Sequence, residues 1–271
     1  MDLEWSITNK TPDPWPEGGW LCFPLRADNP AFRLARLGSI VDPAKDLVPG
    51  SNHELFCLNG GLVVKAAGGG AVGICPIDAQ LVSLEHPGLW RYTRDFVAHQ
   101  PDVFILMFDN VYSTNFGQWI EGSWSSRVRL WAVEDTESCD ESLIVGSWEA
   151  RLSCLAAVSE APAGMLPATA TGITISNARD SVIGRGLLLT AFGRNPFGEG
   201  TLLRLWDQTG NGGTVSVQLP AGMKVRAAQL CNLRGEPAGP SLPVLESGEF
   251  EVPIRPMAPV SVILLGPATG K

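Results

Sequence analysis

The chain has 271 residues, 45% of them hydrophobic and 18% charged, which excludes a disordered polymer and leaves room for one large all-β unit or two domains with cores of their own. A formal net charge of -8 at pH 7, with no run of Lys or Arg, argues against nucleic acid and anionic membrane as partners. No apolar run reaches the length of a membrane-spanning helix, and Met1-Asp2-Leu3-Glu4-Trp5 has neither the basic nor the apolar region of a secretion signal, so the expected setting is cytoplasm or a fragment of a larger protein.

Thirty Gly and twenty-one Pro divide the chain into short segments, which favours strands and turns over long helices. In chain order, strand-like runs are expected at Trp20 to Leu25, Leu55 to Val64, Ala71 to Pro76 and Val103 to Phe108. Between the first two, Asp28 to Pro49 shows no sustained period and reads as a long structured loop. After Val128 to Trp131, the acidic stretch Glu134 to Glu141 reads as a solvated linker. Ser142 to Val158 stays open between a strand and a short helix lined by Trp148, Leu152 and Leu155. Ala161-Pro162-Ala163-Gly164 marks a break, and a domain boundary is expected near residue 160, giving domains 1–160 and 161–271.

Beyond it, Leu187 to Phe192 and Thr201 to Trp206 flank the turn Gly193 to Gly198. Thr214 to Leu219 and Glu249 to Ile254 place apolar residues at every second position, and Met223 to Ala227 is similar. Period two buries one face and solvates the other, so this half is expected to be an antiparallel β-sandwich.

The six cysteines (Cys22, Cys57, Cys75, Cys139, Cys154 and Cys231) contain no Cys-x-x-Cys pair, and His53, His86 and His99 are scattered, so no metal site and no cofactor are expected. Reduced, mostly buried thiols are the reading. No Gly-x-Ser-x-Gly elbow and no phosphate-cradling loop is present.

The densest functional signal is Asp109 to Trp119, which packs amide, hydroxyl and aromatic groups between two strand-like runs. Amides pair donors with acceptors and aromatic faces stack on apolar C–H surfaces, the chemistry of sugar recognition. Turn formation around a packed Trp119, or bracing of two domains, would use the same residues. Glycoside hydrolysis requires two facing carboxylates. Asp109 and Glu121 are weak catalytic candidates, while Asp42 and Asp46 read as turn caps beside Pro43.

The ordered series Phe23-Pro24-Leu25, Asp42 to Asn52, Asp78-Ala79-Gln80-Leu81-Val82 and Asp109 to Asn115 resembles the middle of family 38 glycoside hydrolases, the α-mannosidases. Gly200 to Asp207, Gly212 to Val215 and Ala258 to Leu265 resemble that family's C-terminal sandwich. The resemblance implies a mutarotase-like β-supersandwich followed by a smaller antiparallel β-sandwich. The family's catalytic barrel, with its zinc and nucleophile, has no counterpart here. It implies carbohydrate contacts at Asn110, Thr114, Asn115 and, more loosely, Arg204; Tyr112 stands where the family has tryptophan and Asp109 where asparagine is expected, while Trp119 joins the candidate contacts as a stacking ring by residue type. The expected function is a non-catalytic carbohydrate-recognition or accessory region, with a glycan and a catalytic barrel domain as partners. The alternatives are a self-contained glycoside hydrolase or lyase using a carboxylate pair, and a structural or oligomerisation module.

Overall fold

The computed structural model describes residues 1–89, 92–110, 117–134, 136–152, 172–177 and 186–266. The chain divides into two compact units, Met1–Ser153 and Cys154–Lys271. The expected boundary near residue 160 lies outside the described residues. Every strand pairing among the described residues is antiparallel.

The first unit contains β1 (Asp2–Lys10), β2 (Gly18–Phe23), β3 (Ala31–Arg36), β4 (Ser39–Val41), β5 (Phe56–Cys57), β6 (Leu62–Lys65), β7 (Ala71–Pro76), β8 (Leu81–Leu84), β9 (Val103–Asp109), β10 (Gly122–Val133) and α1 (Cys139–Arg151). A six-stranded sheet in the order β1-β10-β7-β6-β3-β4 packs on a four-stranded sheet, β2-β9-β8-β5. Phe32, Leu34, Leu62, Val64, Ile74 and Val128 from the larger sheet meet Phe56, Val82, Leu84, Val103 and Ile105 from the smaller one. Helix α1 covers the other face of the six-stranded sheet. That explains why Leu62-Val63-Val64 is apolar without alternation: both of its faces are buried.

Several expectations are corrected here. The supposed loop from Asp28 to Pro49 contains the hairpin β3–β4. Phe32 and Leu34 point inward and Arg33 outward, and the turn uses Leu37 and Gly38 at φ 52° and 76°. A leucine in the left-handed region is uncommon, so the turn carries no ordinary sequence signal. The run Leu55 to Val64 is two strands in different sheets, and the chain crosses between layers at Asn59-Gly60-Gly61. A Cβ on Gly61 would sit 2.6 Å from the carbonyl oxygen of Ile74, so the crossing requires glycine.

The acidic stretch expected to be linker ends inside α1. Asp140 forms a two-pronged ion pair with Arg33 of β3, at 2.8 and 2.6 Å. The open segment Ser142 to Val158 is helical as far as Arg151, and its buried face is Cys139, Leu143, Ile144 and Ser147. Leu152 is exposed, and Leu155 lies outside the described residues. Trp131 joins helix to sheet: its indole N–H donates to Ser142 Oγ, and its ring fills the space left by Gly73 and Gly146.

The second unit contains β11 (Thr174–Asn177), β12 (Leu187–Arg194), β13 (Thr201–Asp207), β14 (Gly213–Gln218), β15 (Ala227–Cys231), β16 (Pro237–Leu242), β17 (Glu249–Ile254) and β18 (Pro259–Leu265). Sheets β11-β14-β17 and β12-β13-β18-β15-β16 enclose a core of Leu203, Leu205, Val215, Val217, Phe250, Val252 and Val262. The β-sandwich expected from the period-two runs is present, with β14 and β17 paired Gly213↔Ile254 through Gln218↔Glu249. Met223 to Arg226 is irregular rather than strand; the strand begins at Ala227.

Candidate functional site

In the first unit, Trp5 of β1 and Trp124 to Ser126 of β10 border an open groove of about 310 Å³, with Leu106 to Phe108 of β9 and Asp78 to Leu81 forming the rest of its lining. Strand periodicity alone puts Trp124 and Ser126 on one face of β10. The Phe108 and Trp124 rings meet edge to face at 5.7 Å, and Lys10 Nζ lies 5.5 Å from the Phe108 centroid. The Trp5 indole N–H and the Ser126 hydroxyl are buried and have no hydrogen-bond partner among the described residues. They are direct neighbours across the β1–β10 pairing.

Among the described lining residues Asp78 is the one carboxylate. Arg127 binds it through Nε and Nη2, both at 2.9 Å, and through its backbone N–H at 3.0 Å. These bonds hold the Asp78 carboxyl below its ordinary range, against a smaller opposing effect of burial. A carboxylate kept as an anion by a bidentate arginine is a poor general acid.

The rim continues into the stretch singled out from sequence. Asp109 ends β9 opposite Gly18 and is half-buried. Asn110, 8% exposed, ties two loops together. Its Oδ1 accepts from the Glu17 backbone N–H, and its Nδ2 lies 3.2 Å from the Asp13 oxygen, 3.2 Å from the Trp15 oxygen and 3.3 Å from the Gln118 oxygen. The backbone N–H of Asn110 donates to Glu17 O at 3.0 Å. Its amide is thus committed to main chain, and Asn110 positions the rim rather than offering itself to a sugar. Glu17 in turn pairs with Lys10 at 2.7 Å, which links the clamp to Phe108.

Tyr112, Thr114 and Asn115 lie outside the described residues. Trp119 is exposed, as is Glu121 immediately before β10. Arg204 belongs to the second unit, on β13, where its guanidinium donates to Ser261 Oγ at 2.9 Å and to Leu233 O at 2.7 Å. Asp42 and Asp46 cap their own turn: Asp42 accepts from Ala44 N–H and Asp46 from Asp42 N–H. Among the described residues no group of three or more His, Cys, Asp or Glu side chains could hold a metal ion.

Sequence reasoning did not single out Trp5 and Trp124, which line the groove, or Trp15, whose carbonyl Asn110 holds. Proline on both sides of Trp15 in a polar loop was a signal that could have found it.

The Gly212-Gly213 motif of the second half also has a physical basis. Buried Asp207 accepts from Thr209 N–H, Thr209 Oγ1 and Gly210 N–H on one oxygen, and from Gly212 N–H and Met257 N–H on the other. One carboxylate thereby organises the β13–β14 turn and the approach to β18.

Two antiparallel β units, the first carrying an aromatic groove, define an all-β sandwich protein. Residues 186–258 match the family model described as the glycosyl hydrolases family 38 C-terminal beta sandwich domain. Among solved structures, the fold is similar to a protein in the glycosyl hydrolase family 38 from Enterococcus faecalis, with TM-score 0.66 and 12% identity over 97% of this chain and 28% of that one. An alpha-mannosidase from Enterococcus faecalis V583 is similar at TM-score 0.66 and 14% identity, over 97% of this chain and 27% of that one. The chain thus spans little more than a quarter of the length of these relatives and resembles the C-terminal β-rich part of family 38 glycoside hydrolases. No curated protein matches it. No helix among the described residues is long and apolar enough to cross a membrane.

Proposed function

We propose that this chain is the non-catalytic, glycan-recognising accessory region of an α-mannosidase-like family 38 glycoside hydrolase, acting beside a catalytic barrel domain. The first unit takes the role of the mutarotase-like supersandwich and the second that of the terminal sandwich. One observation carries the reading: the groove gathers the Trp5, Phe108 and Trp124 rings beside the exposed Ser125, a mixture of aromatic faces and hydroxyl that suits a hydroxylated ligand. The arginine-bound Asp78 favours recognition over hydrolysis.

Calorimetric titration of the chain with methyl α-mannoside tests this. Binding is expected in the parent and should be lost in Trp124→Ala, with the fold retained by circular dichroism. Equal affinity in parent and variant would remove the groove from the site. Release of reducing sugar by the isolated chain would overturn the non-catalytic reading.

A further inference from the structure

The Asn110 clamp does more than close a loop. Its single amide nitrogen holds the Trp15 carbonyl at 3.2 Å and the carbonyl just before Trp119 at 3.3 Å. With standard backbone dimensions, the Cα atoms of Trp15 and Trp119 are then within about 12 Å of each other. Trp15 is 74% exposed and Trp119 54%. Exposing one large indole is ordinary; fixing two on adjoining loops through one buried side chain requires a reason. The Trp15 loop is further tied at this point. Trp15 N–H is bound by Asp13 Oδ1 at 3.0 Å, and Pro14 and Pro16 restrict the backbone on either side.

The surroundings decide what such a pair would bind. The loop groups near these indoles are polar or charged (Asp13, Glu17, Gln118 and Glu121), a setting that suits a hydroxylated ligand with apolar faces better than an apolar protein surface. The rim is also continuous with the groove, through Asn110, Glu17, Lys10 and Phe108. We infer that Trp15 and Trp119 form a two-point stacking platform for an oligosaccharide, so that the chain recognises an extended glycan whose terminal unit lies in the groove. This rests on the glycan-recognition reading and extends it from a single sugar to a chain.

The test titrates the chain with an α-linked mannotriose and with methyl α-mannoside, for the parent, Trp15→Ala, Trp119→Ala and Trp124→Ala. Each platform variant is expected to weaken the trisaccharide about tenfold and leave the monosaccharide unchanged. Trp124→Ala should weaken both. Parental trisaccharide affinity in Trp15→Ala and Trp119→Ala, with Trp124→Ala still impaired, overturns the platform and leaves the groove standing. Binding of neither sugar by the parent overturns both. Both platform indoles are exposed, so the variants should fold; Trp15→Phe, expected to recover most of the affinity, separates loss of the ring from loop damage.

Discussion

His86 Nε2 lies 2.6 Å from Oε2 of Glu54, a carboxylate that is only 2% exposed. The other Glu54 oxygen accepts from Thr93 Oγ1, also at 2.6 Å. The backbone beside it is equally tight: Gly88 has no space for a Cβ, which would meet Glu54 O at 2.2 Å. This trio pins residues after β8 to the segment before β5. Glu54→Ala would leave a hydroxyl and an imidazole without their partner. A loss of about 3 kcal/mol in urea unfolding is expected, with a smaller loss for Glu54→Gln. An unfolding midpoint equal to the parent's in Glu54→Ala would show that the trio is incidental.

Trp131 gives a prediction of the opposite kind, where adding one methyl is harmful. A Cβ on Gly146 would sit 2.5 Å from its ring, and one on Gly73 only 2.0 Å away. Helix propensity alone makes Gly146→Ala stabilising by up to about 1 kcal/mol. Steric overlap is expected to reverse that sign, costing about 1–3 kcal/mol, and to lower the thermal midpoint. A raised midpoint would mean that the helix shifts freely on the sheet.

Much of this architecture was legible in sequence, and the exceptions have causes. The apolar residues of β14 and β17 alternate because one face of each is solvated, and β7 was bounded correctly by Gly and Pro. The β3–β4 hairpin was hidden by an unusual Leu37-Gly38 turn and by Arg33, whose charge is used against Asp140. The start of α1 was hidden because acidic residues at a helix N-terminus look like linker when read alone. The groove was less legible still. Its residues run from Trp5 to Ser126, and only strand pairing brings them together. For Asn110, residue type suggested the polar role but not the partner, because its partners are backbone groups, which leave no mark in sequence.

The Asp78–Arg127 pair makes stability depend on pH. Asp78 has its folded-state carboxyl lowered below 3.8. A lowered value contributes stability that is present above the unfolded value and lost as pH falls through the folded one. Because the pair is well exposed, solvent screening keeps its contribution small. Asp78→Asn should therefore unfold slightly more easily at pH 7 and converge with the parent as pH falls below the ordinary carboxylate range. Urea midpoints recorded from pH 6 downward check this; a difference that widens in acid contradicts it.

The thiols divide by environment, and the expectation that they are mostly buried holds for only some. Among the described residues Cys22 and Cys57 are exposed, Cys75 and Cys139 are buried, and Cys231 lies between. Burial pushes the Cys75 thiol up, which further suppresses its thiolate. Under native conditions a maleimide is expected to modify Cys57 within minutes while Cys75 and Cys139 wait for denaturant. Mass spectrometry of labelled peptides resolves the order, and native labelling of Cys75 would contradict the packing of α1 on the sheet.

The pairing of β1 with β10 has a consequence in time as well as space. Met1 and Leu130, which exchange backbone hydrogen bonds at 2.8 Å, are 129 residues apart in the chain. Strand β1, with Trp5 and Ile7, leaves the ribosome long before β10 exists to receive it. Loop-closure entropy must be met before that contact forms, which places docking of β1 late in the folding of the first unit. One wall of the groove therefore waits on β10, the last strand of the first unit, for its hydrogen-bonded neighbour.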